Sequence, residues 1–202
     1  MSTPHLLLDI DGVLIPFPDR NHQRPPTHVR HLVVPTGHDP TDAVPIWLNP
    51  QHGALINDLL DTHELHPVWC TSWRHDANTH IAHRIGLRAL DVIDLPRPDI
   101  TTSHPHGYLW KRDHVAQWAA GDPLAWIDDD FTTFDHEWAV RRTATTAPTL
   151  LVQPDPCIGL TPQHLDQVRA WAGTRRDTSS RVRTSATQPR SASSSTARRP
   201  WA

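Results

Sequence analysis

The chain has 202 residues and a formal net charge of −3, a length that supports one sizeable core with appendages rather than two domains. The charge is uneven: the last 29 residues carry seven Arg and one Asp, a net +6, against 12 basic and 21 acidic residues upstream, a net −9. No apolar run approaches the roughly 20 residues that span a bilayer, residues 1–8 lack a signal-peptide pattern, and two cysteines without ligand spacing exclude a disulfide scaffold or thiolate metal site. A soluble, cytoplasmic protein with no membrane partner is expected.

Residues 5–10 form an apolar run closed by Asp11-Gly12, which predicts a buried strand ending in a turn and places its aspartates at the carboxyl end. A proline-rich stretch, about 16–50, holds two β-like runs, 29–34 and 43–48, around Thr36-Gly37-His38-Asp39-Pro40, the pattern of a hairpin flap. A helix is expected over 53–62, a strand over 67–71, a helix over 76–85 and a short strand over 91–95. A helix over 112–120, a strand over 124–127, a helix over 134–142 and a strand over 149–152 follow. The last helix, 161–171, has Thr161 as N-cap and Pro162 at its first position. Strands alternating with helices predict an α/β fold, a five-stranded parallel sheet with helices on both faces. Residues 1–173 form the domain; 174–202, rich in Ser, Thr and Arg and without apolar periodicity, are expected to be a disordered basic tail.

Ligands of an open parallel sheet bind at the carboxyl ends of its strands. The first strand ends in Asp9-Ile10-Asp11-Gly12, the second in Thr71-Ser72 and the fourth in Asp128-Asp129-Asp130. Lys111 precedes the helix that leads into that fourth strand, and it is the single Lys among 19 cations, the rest being Arg. Carboxylates gathered at one crevice repel one another unless a cation neutralises them. Mg²⁺ takes hard oxygen ligands and keeps positions for phosphate and water, and a carboxylate can act as a nucleophile through an aspartyl-phosphate. The 16 histidines offer pairs such as His63 and His66, His80 and His83, or His104 and His106. So many make chance pairs expected, and His63-Glu64-Leu65-His66 is one residue short of a metalloprotease motif, so a zinc site is set aside.

Asp9-Ile-Asp11-Gly-Val-Leu, Thr71 after its apolar strand, the isolated Lys111 and Trp126-Ile-Asp128-Asp129 resemble, in order, the four motifs of the haloacid dehalogenase (HAD) superfamily of phosphohydrolases. Val68-Trp69-Cys70-Thr71-Ser72-Trp73-Arg74 and residues 124–131 further resemble the HAD domains of "Swiss Army knife" RNA repair proteins and their stand-alone actinobacterial relatives. The resemblance covers about residues 5–172. It implies a Rossmann-like HAD fold with the flap as a small cap inserted after strand one. Asp9 would be the nucleophile and a metal ligand, and Asp11 the general acid and base whose backbone carbonyl also reaches the metal. Thr71 would bond a phosphoryl oxygen, Lys111 would pair with Asp9 and the phosphate, and Asp128 and Asp129 would complete the Mg²⁺ site, the run of three leaving their register open by one. Gly12, Ser72, Trp73 and Arg74 would contact substrate, Trp73 and Arg74 by stacking or gripping.

The implied function is Mg²⁺-dependent phosphohydrolysis of a phosphorylated small molecule or a nucleic-acid end at a site left accessible by its small flap. The alternative is a catalytically silent HAD-fold protein that binds metal or phosphate as an interaction partner. The basic tail suits phosphate contacts with nucleic acid, a solvated terminus being the plainer reading. The residues specify no oligomeric state.

Overall fold

The computed structural model describes residues 2–96 and 104–185. Its main sheet is parallel, in the order β5 (Asp91–Val92), β4 (His66–Trp69), β1 (His5–Leu8), β6 (Leu124–Ile127), β7 (Thr149–Val152). The chain steps from β1 outward to β5, then returns past β1 to build β6 and β7 on the other side. The carboxyl end of β1 is therefore the switch point where such sheets open a crevice. Leu8 is in register with both Trp69 and Ile127, which aligns the ends of the three central strands.

Side-chain alternation along these strands sorts the core into two layers. Leu6, Leu8, Trp69 and Ile127 face one way, packing with Ile56 and Leu59 of α1 (His52–Thr62) and with Leu165 and Val168 of α5 (Pro162–Ser185). Leu7, Val68, Leu124 and Trp126 face the other way, against Val115 and Ala119 of α3 (Arg112–Ala119). Partly buried Trp138 from α4 (Thr133–Thr145) packs on this second layer. The expected α/β fold with helices on both faces is thus observed.

The flap is an antiparallel pair, β2 (Val29–Val33) and β3 (Val44–Leu48), joined through a short 3₁₀ turn at Pro40–Asp42 that Asp39 caps. Val33, Ile46 and Leu48 anchor it in the first core layer, whereas Val29, Leu32 and Val44 are exposed. Its tip is tied down by Thr36, whose backbone N–H and hydroxyl both donate to Asp76, at 3.0 and 2.5 Å.

Two segments differ from expectation. The helix expected over 76–85 begins as a π-helical stretch, Ala77–Ala82, before one α-turn, α2 (His83–Ile85), stopped by Gly86 at φ 69°. Asn78 in the widened turns accepts from the Trp69 indole (2.8 Å) and the Leu90 N–H (3.0 Å), fixing the segment against β4. The last helix, expected over 161–171, runs past Gly173 to Ser185. Gly173 is not in the left-handed conformation that ends helices, and no proline follows until Pro189, so the chain has no stop signal there. Residues 186–202 of the expected tail lie outside the described residues. No helix among the described residues is long and apolar enough to cross a membrane.

Candidate active site

The residues that follow the three central strands are placed by continuation of the sheet's hydrogen bonding. Asp9 N–H donates to Ile127 (3.0 Å), Cys70 N–H to Leu8 (2.8 Å) and Asp128 N–H to Val152 (3.2 Å). Asp9, Thr71 and Asp128 therefore gather around one point although 62 and 57 residues separate them in the chain. After Asp9 the backbone coils tightly, the N–H groups of Val13, Leu14 and Ile15 all pointing at the Ile10 carbonyl. Gly12 adopts φ 71° in this coil, and a Cβ there would overlap the Asp129 carboxylate. Its glycine is needed both for the left-handed backbone and for space beside an acid.

Lys111 joins the acids. Its Nζ donates to Asp9 Oδ2 at 2.5 Å and to Asp128 Oδ2 at 2.8 Å. All three side chains are nearly removed from water, Asp9 being 5 % exposed, Lys111 4 % and Asp128 0 %. Burial works to lower the Lys111 pKa, but the Asp128 and Asp9 carboxylates outweigh it and hold the ammonium well above its ordinary value. A carboxylate oxygen from each of Asp9, Asp128 and Asp129 lies within 4.8 Å of the others. Burial, with the Asp130 and Asp9 charges added, pushes Asp129 up to about 7. Burial also raises Asp128 despite its bond to Lys111. The cluster is thus short of positive charge: one ammonium faces three buried carboxylates. Hard, closely spaced oxygens with a surplus of negative charge fit a divalent cation such as Mg²⁺. Asp130 is exposed and lies outside this trio, serving Asp128 through its N–H, which donates to Oδ1 at 3.1 Å.

Asp11 sits beside the cluster, half-buried. Burial and the Asp9 charge push its pKa up to about 6, while the Trp73 hydrogen bond pulls it back. The Trp73 indole N–H donates to both carboxylate oxygens, at 3.2 and 3.1 Å, and Ser72 Oγ adds a 3.4 Å bond. Trp73, expected to stack on substrate, thus has its polar edge engaged by Asp11. Arg74, the other residue expected to grip substrate, is paired with Asp94 and adopts φ 50°, an unusual conformation for a residue with a side chain. Thr71 is fully buried, its hydroxyl oxygen accepting from Trp73 N–H at 3.4 Å. The site is less open than a small flap implied: Asp9, Thr71, Lys111 and Asp128 are buried, and of their neighbours Ser72 and Asp130 are exposed.

Two supports lie outside the residues expected at the site. Asp135, buried in the first turn of α4, accepts from Leu109 N–H (3.0 Å), Thr132 N–H (2.9 Å) and the Thr132 hydroxyl (2.8 Å). It ties the loop that presents Lys111 to the loop that follows Asp130. Thr132-Thr-Phe-Asp135 carries the capping-box spacing, a signal that could have revealed it. Gln153 Nε2 donates to the carbonyls of Asp129 (2.8 Å) and Phe131 (2.9 Å), shaping the same loop. Cys70 is fully buried, which pushes its thiol well above the ordinary value.

The family model described as the HAD domain in Swiss Army Knife RNA repair proteins matches residues 5–165. The chain belongs to this HAD family. The match runs from the first residue of β1 into α5, so it takes in every strand, the flap and all of the acids above. No curated protein and no solved structure gives a significant match. Membership supports a phosphohydrolase of HAD type in general terms and the RNA repair setting of the family's description.

Proposed function

We propose that this HAD-family chain is a Mg²⁺-dependent phosphomonoesterase that works through a phosphorylated Asp9, with a nucleic-acid end or a nucleotide as substrate. The observation that carries the reading is the Lys111 ammonium, buried and shared between Asp9 and Asp128 with Asp129 alongside. Asp9, Asp128 and Asp129 would hold the metal with the Asp11 backbone carbonyl. Bound Mg²⁺ would supply charge neutralisation for the phosphoryl oxygens.

The chain's own groups then divide the work. An Asp9 carboxylate oxygen attacks phosphorus as the bond to the leaving oxygen breaks, and Asp11, in its protonated form, donates a proton to that oxygen. A pKa raised to about 6 suits Asp11 to this exchange near neutrality. Water then attacks the phosphorus, giving its proton to the Asp11 carboxylate; the bond to Asp9 breaks, freeing inorganic phosphate and the Asp9 carboxylate. Lys111 steadies charge on Asp9 and the transferring group, and Thr71 bonds a phosphoryl oxygen. Electrostatic preorganisation of this kind needs no reorganisation during the reaction, and the Lys111 bridge supplies it in advance.

The test is phosphate release from an aryl phosphate with Mg²⁺. Asp9→Asn is expected to lower turnover by about a thousandfold or more, on the scale of losing a nucleophile, while the fold is retained by circular dichroism. Comparing 3′- and 5′-phosphorylated oligonucleotides with mononucleotides and sugar phosphates ranks the substrates. Inactivity of the wild type across that panel overturns the enzymatic reading in favour of a silent binding protein.

A further inference from the structure

At the amino end of the sheet, opposite the acidic site, β1 and β4 begin with histidines in register, His5 beside His66. Their Nδ1 atoms face one another at 3.1 Å. Their Nε2 atoms point away to separate carboxylates, His5 to Asp122 at 3.4 Å and His66 to Asp91 at 2.7 Å. Ionised carboxylates only accept, so both Nε2 atoms carry hydrogen. A neutral imidazole has one N–H, which leaves two Nδ1 lone pairs aimed at each other at hydrogen-bond distance. Something electropositive belongs between them.

We propose that His5 and His66 form a second metal site, taking a borderline divalent transition ion such as Zn²⁺ through their two Nδ1 atoms. Zinc binds imidazole nitrogen at about 2.0–2.1 Å, so tetrahedral ligands stand roughly 3.3–3.4 Å apart. The pair needs to open by only a few tenths of an ångström. The carboxylates complete the pattern, because a ligating histidine usually donates its other N–H to a carboxylate that fixes its tautomer and orientation. Here both rings are so held. Trp118 packs against His5 at 4.5 Å between ring centroids, a further constraint on the ring. Solvent can supply the remaining ligands, since the His66 side chain is 38 % exposed. Imidazole nitrogen favours zinc, copper or nickel, whereas the oxygens around Asp9 favour magnesium, so the two ends of the sheet would take different ions. An ion here would link β1 to β4 directly. Spacing in the sequence could not show this site, because its ligands are 61 residues apart and meet only through strand register.

The experiment measures Zn²⁺ uptake by the untagged full-length chain by equilibrium dialysis in saturating Mg²⁺. The wild type is expected to hold one equivalent more than His66→Gln. Asp91→Asn, altered at an exposed carboxylate, is expected to keep the site but weaken it by about tenfold or more. Cu²⁺ is expected to quench a component of tryptophan fluorescence that is missing in both His66→Gln and Trp118→Phe. Mg²⁺-dependent phosphate release by His66→Gln stays at the wild-type level. Equal uptake by wild type and His66→Gln overturns the proposal, and so does the absence of Zn²⁺ uptake with NMR showing a proton shared between the two rings. Either result leaves the reading of the acidic site untouched.

Discussion

The central strand β1 carries an ionisable group at each end, His5 and Asp9, and the clusters around the two ends differ in how they meet water. At the carboxyl end Lys111, Asp9 and Asp128 are buried together. At the amino end the partners reach water, the side chains of His66 and Asp91 being 38 % and 75 % exposed. The distances are alike, 2.5 and 2.8 Å at one end and 2.7 Å at the closer contact of the other. Separation therefore does not distinguish them. Water at the open end weakens what its hydrogen bonds contribute, whereas Coulomb attraction at the closed end is strong, and deleting one member of the buried Lys111 cluster strands its partners. What the carboxyl end stores is less stability than fixed charge in a defined place, which is what phosphoryl transfer asks of a protein.

The largest effect is expected where that stored charge is cut. Lys111→Met leaves Asp9 and Asp128 buried without their cation and should cost about 3–5 kcal/mol in a denaturant melt. Added Mg²⁺ should recover part of the loss, because the metal supplies the missing positive charge to the same oxygens. Lys111→Arg keeps the charge but puts a planar, longer group where a compact ammonium reaches two carboxylates. Its melt should shift less than that of Lys111→Met, yet turnover should still fall by about tenfold or more, on the scale of losing an electrostatic contact. If Lys111→Met were as stable as the wild type, the contrast between the two ends would fail.

Burial rather than position within the sheet sets such costs, and His52 separates the two explanations. It belongs to neither strand end. It is buried at the start of α1, its Nε2 donating to the Leu160 carbonyl at 3.0 Å, with His28 edge-on at 5.5 Å. Burial foremost, then the His28 charge, lowers its pKa from 6.5 to about 4, against the pull of the Leu160 bond. The unfolded imidazole takes up its proton near 6.5 and the folded one only near 4. Its contribution is therefore complete above pH 6.5 and lost as pH falls from 6.5 towards 4, amounting to about 3 kcal/mol across that window. His52→Gln keeps a donor for Leu160 and removes the titration, so its stability curve should flatten between pH 6.5 and 4. An unchanged acid limb would show that His52 does not titrate as its burial requires.

The parts of the molecule that could be read before folding are those governed by local pattern. Apolar runs such as Leu6-Leu7-Leu8 and Leu124-Ala-Trp-Ile127 mark buried strands, and the aspartates that close them fall at one edge because parallel strands all end on the same side. The flap showed itself through paired β-like runs around a turn. What stayed hidden depends on tertiary placement. Trp73 bears no mark of turning its N–H towards Asp11 rather than a ligand. His5 and His66 are common residues until register pairs them. The run of α5 past Gly173 reflects the absence of a stop, which composition alone does not reveal. Asp135 is the intermediate case, since its capping-box spacing is legible but its hold on the loop before Lys111 is not.

The smallest effect expected concerns Trp73, and it tests whether the carboxyl end is organised for proton transfer as well as for charge. The indole donates to both oxygens of Asp11, which fixes the carboxylate plane. Trp73→Phe retains most of the ring's packing and deletes the donor. A lost hydrogen bond to a charged group is worth about 1.5–3 kcal/mol, part of which Ser72 Oγ can recover, so about a tenfold loss in kcat/KM is expected on alkyl phosphates. Such leaving groups need a proton as the bond breaks. An aryl phosphate with an electron-poor ring leaves as a stable phenolate and needs none, so its kcat/KM, which reports the steps up to loss of the leaving group, should hardly change. If Trp73 merely filled space, both substrates would lose rate together. A loss confined to the poor leaving group instead makes Trp73 a positioning residue for Asp11, and adds to the fixed charge of this end of the sheet a fixed direction for its proton.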